Sequence, residues 1–315
     1  MESKGTVPED PSKLVAFEGG GKPVTPGQVV GALRQDHVVL VRGLNAPQAD
    51  ALMHSTADSL GLGEALELQA TFASVMGHRE ALGSYYMTVN KRDDYHFIPP
   101  HSEGHRVAGM QLASFYCYEN TTDGGDTILL NLNPACEGWS SLREMVTRAK
   151  VTRQLAQSEI AQARGMYGIN VPRDLLKDSD SVVAERPTSI PGLTLVDVLV
   201  PLEKIHSVLL DRDVYAYWDT VASLDLDAAP QYERLLRESG LLKEPPGGLE
   251  LRQLDNAADR RIYSSKVEFA SLFASRLTYK LKAGDFVIVN NLTWAHSVSN
   301  WTPGSGTRKV SAAFA

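Results

Sequence analysis

The chain has 315 residues, 43% of them hydrophobic, and its 31 Lys and Arg against 38 Asp and Glu leave a net charge of −7. That length can bury a substantial core, and the acidic balance argues against a nucleic-acid partner, which calls for a basic face. No apolar run is long enough to span a membrane, the first residues lack the apolar stretch of a signal peptide, and the two cysteines, Cys117 and Cys136, form no CxxC pair. A cytoplasmic protein without disulfides or a zinc ribbon is therefore expected.

Residues 1–12 are polar and read as a loose arm. A helix starts near Thr25-Pro26, where Thr can cap the first turn and Pro fits within it. Residues 37–41 read as a buried strand, and a second helix runs from 46 to 60 and stops at Gly61. Between 85 and 100 the chain turns aromatic, charged and irregular, as a loop bordering a site does. Residues 110–118 and 127–132 are strands on either side of the turn Asn120-Thr-Thr-Asp-Gly-Gly125. From 137 to about 164, Trp139, Leu142, Met145 and Ala149 recur at helical spacing, which predicts a helix. Its basic residues Arg143, Arg148, Lys150, Arg153 and Arg164 then form a solvated face. Further helices are predicted at 214–223 and 231–239; residues 267–277 fit helix or strand, and 285–290 and 307–314 are strands. No repeat or low-complexity linker divides the chain. The chemistry-bearing residues fall at 101–127 and 285–308, so both halves must meet in one fold. That favours a single domain, mainly β with flanking helices, and an insertion at about 138–280.

His101-Ser102-Glu103 is the first element of a site. In an extended segment, side chains two residues apart point the same way, and Pro99 and Pro100 favour an extended approach. An HxE alone arises often by chance. Here it is followed by Gly124-Gly125-Asp126-Thr127, by Asn290-Asn291-Leu-Thr-Trp-Ala-His296 at the end of a strand, and by Arg308 across the turn 302–306. Two imidazoles and a carboxylate are the ligand set of non-haem Fe(II) oxygenases, with coordination positions left open. An Arg beside such a site supplies a planar clamp for a carboxylate.

At these residues the chain resembles the TauD/TfdA-like (taurine dioxygenase, clavaminate synthase-like) family of Fe(II)/2-oxoglutarate-dependent oxygenases. The amino-terminal His37-Val-Val-Leu-Val-Arg-Gly-Leu44 also looks like that family's opening strand. The resemblance implies a double-stranded β-helix (jelly-roll, cupin-like) core with a helical insertion. It implies that His101, Glu103 and His296 hold Fe(II), that Arg308 pairs with the distal carboxylate of 2-oxoglutarate, and that Thr127 hydrogen-bonds this co-substrate. O2 is the third reactant, succinate and CO2 are released, and an unactivated C–H of a small molecule is hydroxylated. Desaturation, cyclisation or epoxidation by the same oxidant is the nearest variant. Glu103 stands where Asp is commoner, as in the clavaminate-synthase-like branch, and Asn290 stands where Asp is usual. The carboxylate at 103 speaks against halogenation, for which related enzymes keep a small residue there.

Two other classes compete: a non-oxidative metal-dependent cupin-like enzyme, for which Arg308 and Thr127 have no use, and a catalytically dead binding protein, against which the intact residues weigh. His37, His54, His78 and His206 read as structural. His105 is a weaker candidate for substrate contact than for a solvent-facing role. Tyr85, Tyr86, Asn90, Arg92 and His96 divide between substrate contact and loop packing. Cys117 reads as a small buried hydrophobe. A small polar or natural-product-type substrate is expected. A taurine-like sulfonate is disfavoured, because Ser311 and Ala312, rather than a second Arg, follow Arg308 on its strand.

Overall fold

The computed structural model describes residues 7–20, 23–75, 79–89, 95, 97–104, 109–218, 221–222, 228–247 and 267–315. Strand β1 (Leu14–Glu18) leads to α1 (Pro26–Leu33), β2 (Val38–Arg42), α2 (Ala46–Ser59) and α3 (Gly63–Val75). Both α1 and α2 begin with reciprocal caps. Thr25 Oγ1 accepts from the Gln28 amide at 3.3 Å while Gln28 Oε1 accepts from the Thr25 amide at 3.0 Å, and Asn45 and Gln48 repeat the exchange at 2.9 Å each way. Two orphan donors are thereby satisfied at each helix start.

The core strands follow: β3 (Met87–Thr88), β4 (Ile98–His101), β5 (Leu112–Asn120) and β6 (Thr127–Leu132). The intervening segment carries β7 (Arg143–Val151), α4 (Gln157–Tyr167), β8 (Ser181–Pro187), β9 (Leu193–Pro201), β10 (Ile205–Ser207), β11 (Arg212–Val214), β12 (Val221–Ala222) and α5 (Ala228–Glu238). The chain then returns through β13 (Phe273–Tyr279), β14 (Phe286–Asn290), β15 (Trp294–Val298) and β16 (Arg308–Phe314).

One sheet has the order β1-β2-β14-β5-β16-β3 and the facing sheet β13-β6-β15-β4. Strands β3 to β6 alternate between the sheets, β6 pairs antiparallel with β13, and β13 to β16 alternate back. This interleaving is a double-stranded β-helix, as expected. Strands β2 and β14 are buried on both faces, which explains their unbroken apolar runs. In β2, Val38 and Leu40 face the inter-sheet core with Phe115, Trp294 and Phe314, whereas Val39 and Val41 face the layer formed with α1 and α2. The outer face of the second sheet, through Ile128, Leu130 and Leu132, is covered by Trp139, Tyr217, Trp218, Tyr232 and Phe269.

Three expectations are corrected. Residues 137–164 do not form one helix: Arg143–Val151 is strand β7, paired with β9 from Arg143↔Pro201 to Val151↔Leu193. The helical spacing of Leu142, Met145 and Ala149 is incidental, because Val146, Thr147 and Val151 suit a pleat and β9 offers a full-length partner. Of the basic residues, Arg148 meets Asp180 at 3.4 Å, Lys150 meets Glu185 at 2.8 Å and Arg153 meets Glu159 at 2.6 Å. Of the helix expected at 214–223, the described residues 214–218 and 221–222 hold strand ends and extended chain instead, with Tyr217 and Trp218 buried. Of the loose arm expected at 1–12, residues 1–6 lie outside the described residues, and residues 7–12 are packed onto the fold. Val7 is buried, Arg276 donates its amide to the Pro8 carbonyl at 2.8 Å, and Asp10 donates to the Arg276 carbonyl at 3.0 Å.

Candidate metal and co-substrate site

His101 and His296 are register partners across β4 and β15, so their side chains leave the sheet on the same face. The rings lie 4.6 Å apart between centroids, and Phe115 packs on His296 at 4.9 Å. Glu103 follows His101 by two residues and reaches the same point. Its Oε1 is 3.7 Å from His101 Nε2 and 3.8 Å from His296 Nε2, and the three donors lie within 4.8 Å of one another. His101 Nδ1 faces the Pro99 carbonyl at 3.0 Å, which favours the Nδ1–H tautomer and turns the Nε2 lone pair toward the convergence point.

The carboxylate is placed from several sides. Ser102, between the two ligand candidates, is buried and donates its amide to the Tyr217 carbonyl at 2.7 Å. Asn291 grips the peptide of Glu103: its Oδ1 accepts from the Glu103 amide at 2.9 Å and its Nδ2 donates to the Glu103 carbonyl at 2.9 Å and the Met110 carbonyl at 2.8 Å. Gly104 then turns the chain away at φ +90°. Neighbouring Asn290 bonds to Ser207 and to the Leu292 amide, and so braces the strand end.

The electrostatics suit a cation. Burial opposes charge on Glu103, but the two facing imidazoles overrule it and hold the carboxyl well below the usual range. Burial also pushes the His296 imidazole down to about 4, opposed by Glu103 and helped by the charges of His101 and Arg79. An ionised carboxylate beside a neutral imidazole is the protonation state metal binding requires.

Arg308 enters the same cavity from β16. Its Nε donates to the Gly125 carbonyl at 3.2 Å, and Asn120 donates to that oxygen at 3.1 Å. The Gly-Gly turn is required here. A Cβ on Gly124 would lie 2.1 Å from the Asn300 carbonyl oxygen, and Gly125 has φ +72° with the Arg308 Cδ at 2.9 Å from any added Cβ. Burial lowers the guanidinium to about 10, leaving it charged at neutral pH. The cavity holds about 240 Å³ and is otherwise mostly apolar, with Phe115, Val298, Val310 and Phe314 in its wall. Thr127 faces the barrel interior beside Val298's strand; its buried hydroxyl has no hydrogen-bond partner, and it does not line the cavity itself.

The structure thus brings His101, Glu103, His296 and Arg308 together. It does not bring Tyr86 to them: that ring is buried, with its hydroxyl 2.8 Å from Ser114 Oγ. Tyr85 stacks on His54 at 5.2 Å. Asn90, Arg92, His96, His78 and His105 lie outside the described residues. Among the described residues, none in the 138–280 segment lines the cavity. Sequence reasoning missed Asn291, which the Asn290-Asn291 pair half signals, and Arg79, which lines the cavity with its guanidinium 3.9 Å from Glu103. Nothing in the sequence around Arg79 marks it.

No protein-family model matches the chain, and no curated protein matches it. Among solved structures the chain is similar to PvcB from Pseudomonas aeruginosa, at 13% identity over 96% of this chain and 85% of that one, with a TM-score of 0.40. A second PvcB structure, described as an Fe, alpha-ketoglutarate dependent oxygenase from an isonitrile synthetic pathway, matches at 13% identity over 96% and 84%, with a TM-score of 0.41. AAD-2 in complex with Mn(II) and N-oxalylglycine matches at 12% identity over 98% and 96%, with a TM-score of 0.43. Likeness at this level says nothing of activity, so function rests on the site's own residues. No helix of the described residues is long and apolar enough to cross a membrane.

Proposed function

We propose that this chain is an Fe(II)- and 2-oxoglutarate-dependent oxygenase that hydroxylates a C–H bond of a small molecule and releases succinate and CO2. The observation that carries this reading is the convergence of the His101–Glu103–His296 donors and the Arg308 guanidinium in one cavity. The donor set fits Fe(II): two neutral nitrogens and one carboxylate leave positions for a chelating co-substrate and O2. When bound, iron with 2-oxoglutarate supplies the oxidising chemistry that side chains lack.

The chain's own part is positioning and shielding. His101 is oriented through Pro99 and Glu103 through Asn291, so the donors converge before any ion arrives. Arg308 is the partner for the distal carboxylate of 2-oxoglutarate, a pairing its planar fork suits. The buried Thr127 hydroxyl, with no partner of its own, is a second polar group on the interior face. Phe115, Phe314 and the cavity valines keep bulk water away, which strengthens each charge contact.

Anaerobic addition of Fe(II) and 2-oxoglutarate should produce a weak visible charge-transfer band, lost in His296→Ala and in Arg308→Ala. Absence of the band, with tight zinc retention in its place, would overturn the proposal in favour of a non-oxidative metal site.

A further inference from the structure

Among the described residues the cavity contains one more charge than the proposed reaction uses. Counted with its proposed contents, Fe(II) contributes two positive charges, Glu103 one negative, 2-oxoglutarate two negative and Arg308 one positive, which closes at zero. Arg79 is left over. It lines the same cavity as Arg308, and its guanidinium carbon sits 6.0 Å from the Phe314 ring centroid, over a ring that stacks with His296 at 6.5 Å. Among the described residues its carboxylate neighbour is Glu103, at 3.9 Å. Among the described residues Glu103 is the only acidic side chain lining the cavity, and a metal would draw on its charge. A guanidinium that lines the cavity and whose carboxylate neighbour among the described residues is also wanted by the metal favours an incoming anion.

Resting on the function proposed above, we infer that Arg79 anchors an anionic group of the prime substrate, and that the substrate is therefore a small carboxylate with an apolar body. The carboxylate is favoured because a planar guanidinium pairs with it through two parallel hydrogen bonds. The apolar body follows from Phe314 under the Arg79 guanidinium and from Val89, Val310 and Ala312, which line the same cavity and offer no polar side chain. With the anion at Arg79, the rest of the molecule extends over Phe314 toward His296. The second guanidinium thus comes from the segment before β3, not from β16, where Ser311 and Ala312 stand. Two guanidiniums divide the work: Arg308 on the 2-oxoglutarate side and Arg79 on the substrate side.

The test uses the full chain loaded anaerobically with Fe(II) and 2-oxoglutarate. Hexanoate, 3-phenylpropanoate and indole-3-acetate are each titrated against the matching primary amide, and dissociation constants are read from perturbation of the charge-transfer band. At least one acid should bind about 10- to 100-fold tighter than its amide, the range a charge-assisted hydrogen-bond pair supports. In Arg79→Gln the acid–amide ratio should fall to near one while 2-oxoglutarate still gives the band; Arg79→Lys should recover part of the ratio. A panel in which no acid out-binds its amide, or an Arg79→Gln protein that keeps the preference, overturns the inference. Loss of 2-oxoglutarate affinity in both Arg79 variants also overturns it, by assigning Arg79 to the co-substrate. A wild-type complex without the band overturns the oxygenase reading itself, which separates the two failures.

Discussion

At the scale of single residues, the site depends as much on what holds Glu103 as on Glu103. Asn291 satisfies both polar atoms of that peptide and the Met110 carbonyl with one side chain. Asn291→Ala removes all three bonds and leaves buried backbone groups unpaired, at a cost of about 1–3 kcal/mol. Groups that orient a metal ligand typically matter about 10- to 100-fold in metal affinity. Titration of the variant with Fe(II) should therefore show a dissociation constant raised by at least about tenfold; unchanged affinity would show that the carboxylate needs no such grip. Cys117 is a second residue whose surroundings dictate its behaviour. Burial pushes its thiol from 9.0 up to about 11, so the folded protein keeps a proton that the unfolded chain sheds. Its contribution to stability is full below pH 9 and is lost as pH rises toward 11. Wild type should lose stability relative to Cys117→Ala across that window in denaturant melts. At pH 8 a thiol reagent should label Cys136, which is partly exposed, well before Cys117.

At the scale of elements, the turn ending at Gly125 aims Arg308. The Gly125 carbonyl accepts the Arg308 Nε, and a methyl group on Gly125 would sit 2.8 Å from Thr122 Oγ1 and 2.9 Å from Arg308 Cδ. Gly125→Ala should destabilise the fold by about 1–3 kcal/mol through its positive φ. It should also weaken 2-oxoglutarate binding, measured by the charge-transfer titration, while Fe(II) affinity stays near wild type. Weakening of both to the same degree would mean general loosening instead of displacement of Arg308. The turn 302–306 before Arg308 is fastened to the same region by Asp123, which accepts from the Thr302 amide at 2.9 Å, the Thr302 hydroxyl at 2.7 Å and the Ser305 hydroxyl at 3.0 Å.

These elements show why parts of the fold are legible in the sequence and others are not. Strands β2 and β14 carry their own signal, because burial on both faces demands uninterrupted apolar runs. The capping pairs Thr25–Gln28 and Asn45–Gln48 mark helix starts through local hydrogen bonds, which neighbouring residues alone decide. Strand β7 is different: its apolar residues also suit a helix, and only the distant partner β9 decides. The site divides the same way. His101, Glu103, His296 and Arg308 sit in motifs whose spacing reflects strand geometry, whereas Arg79 reaches the cavity through tertiary placement that no local pattern announces.

At the scale of the whole molecule, the intervening segment has two parts with different relations to the site. The sheet β12-β7-β9-β8 and α4 build small cores of their own, one around Ala149, Ala163, Ile169, Ile190, Leu193 and Leu195. The stretch with Tyr217 and Trp218 instead joins the large cluster behind β6 and β15, and it bonds directly to Ser102 between the two ligand candidates. Substitutions in the two parts should therefore diverge. Leu195→Ala empties a satellite core and should cost about 2–5 kcal/mol, yet leave Fe(II) and 2-oxoglutarate affinities near wild type. Trp218→Ala removes a fully buried ring and should cost about 3–5 kcal/mol. It should also weaken Fe(II) binding, because β4 loses the backing that sets His101 against Glu103. Comparing denaturant melts with metal titrations for the two variants checks this: equal stability loss with unequal metal affinity supports a split segment. Parallel loss of metal affinity in both would mean that the segment answers as one body and that the satellite cores, too, support the site.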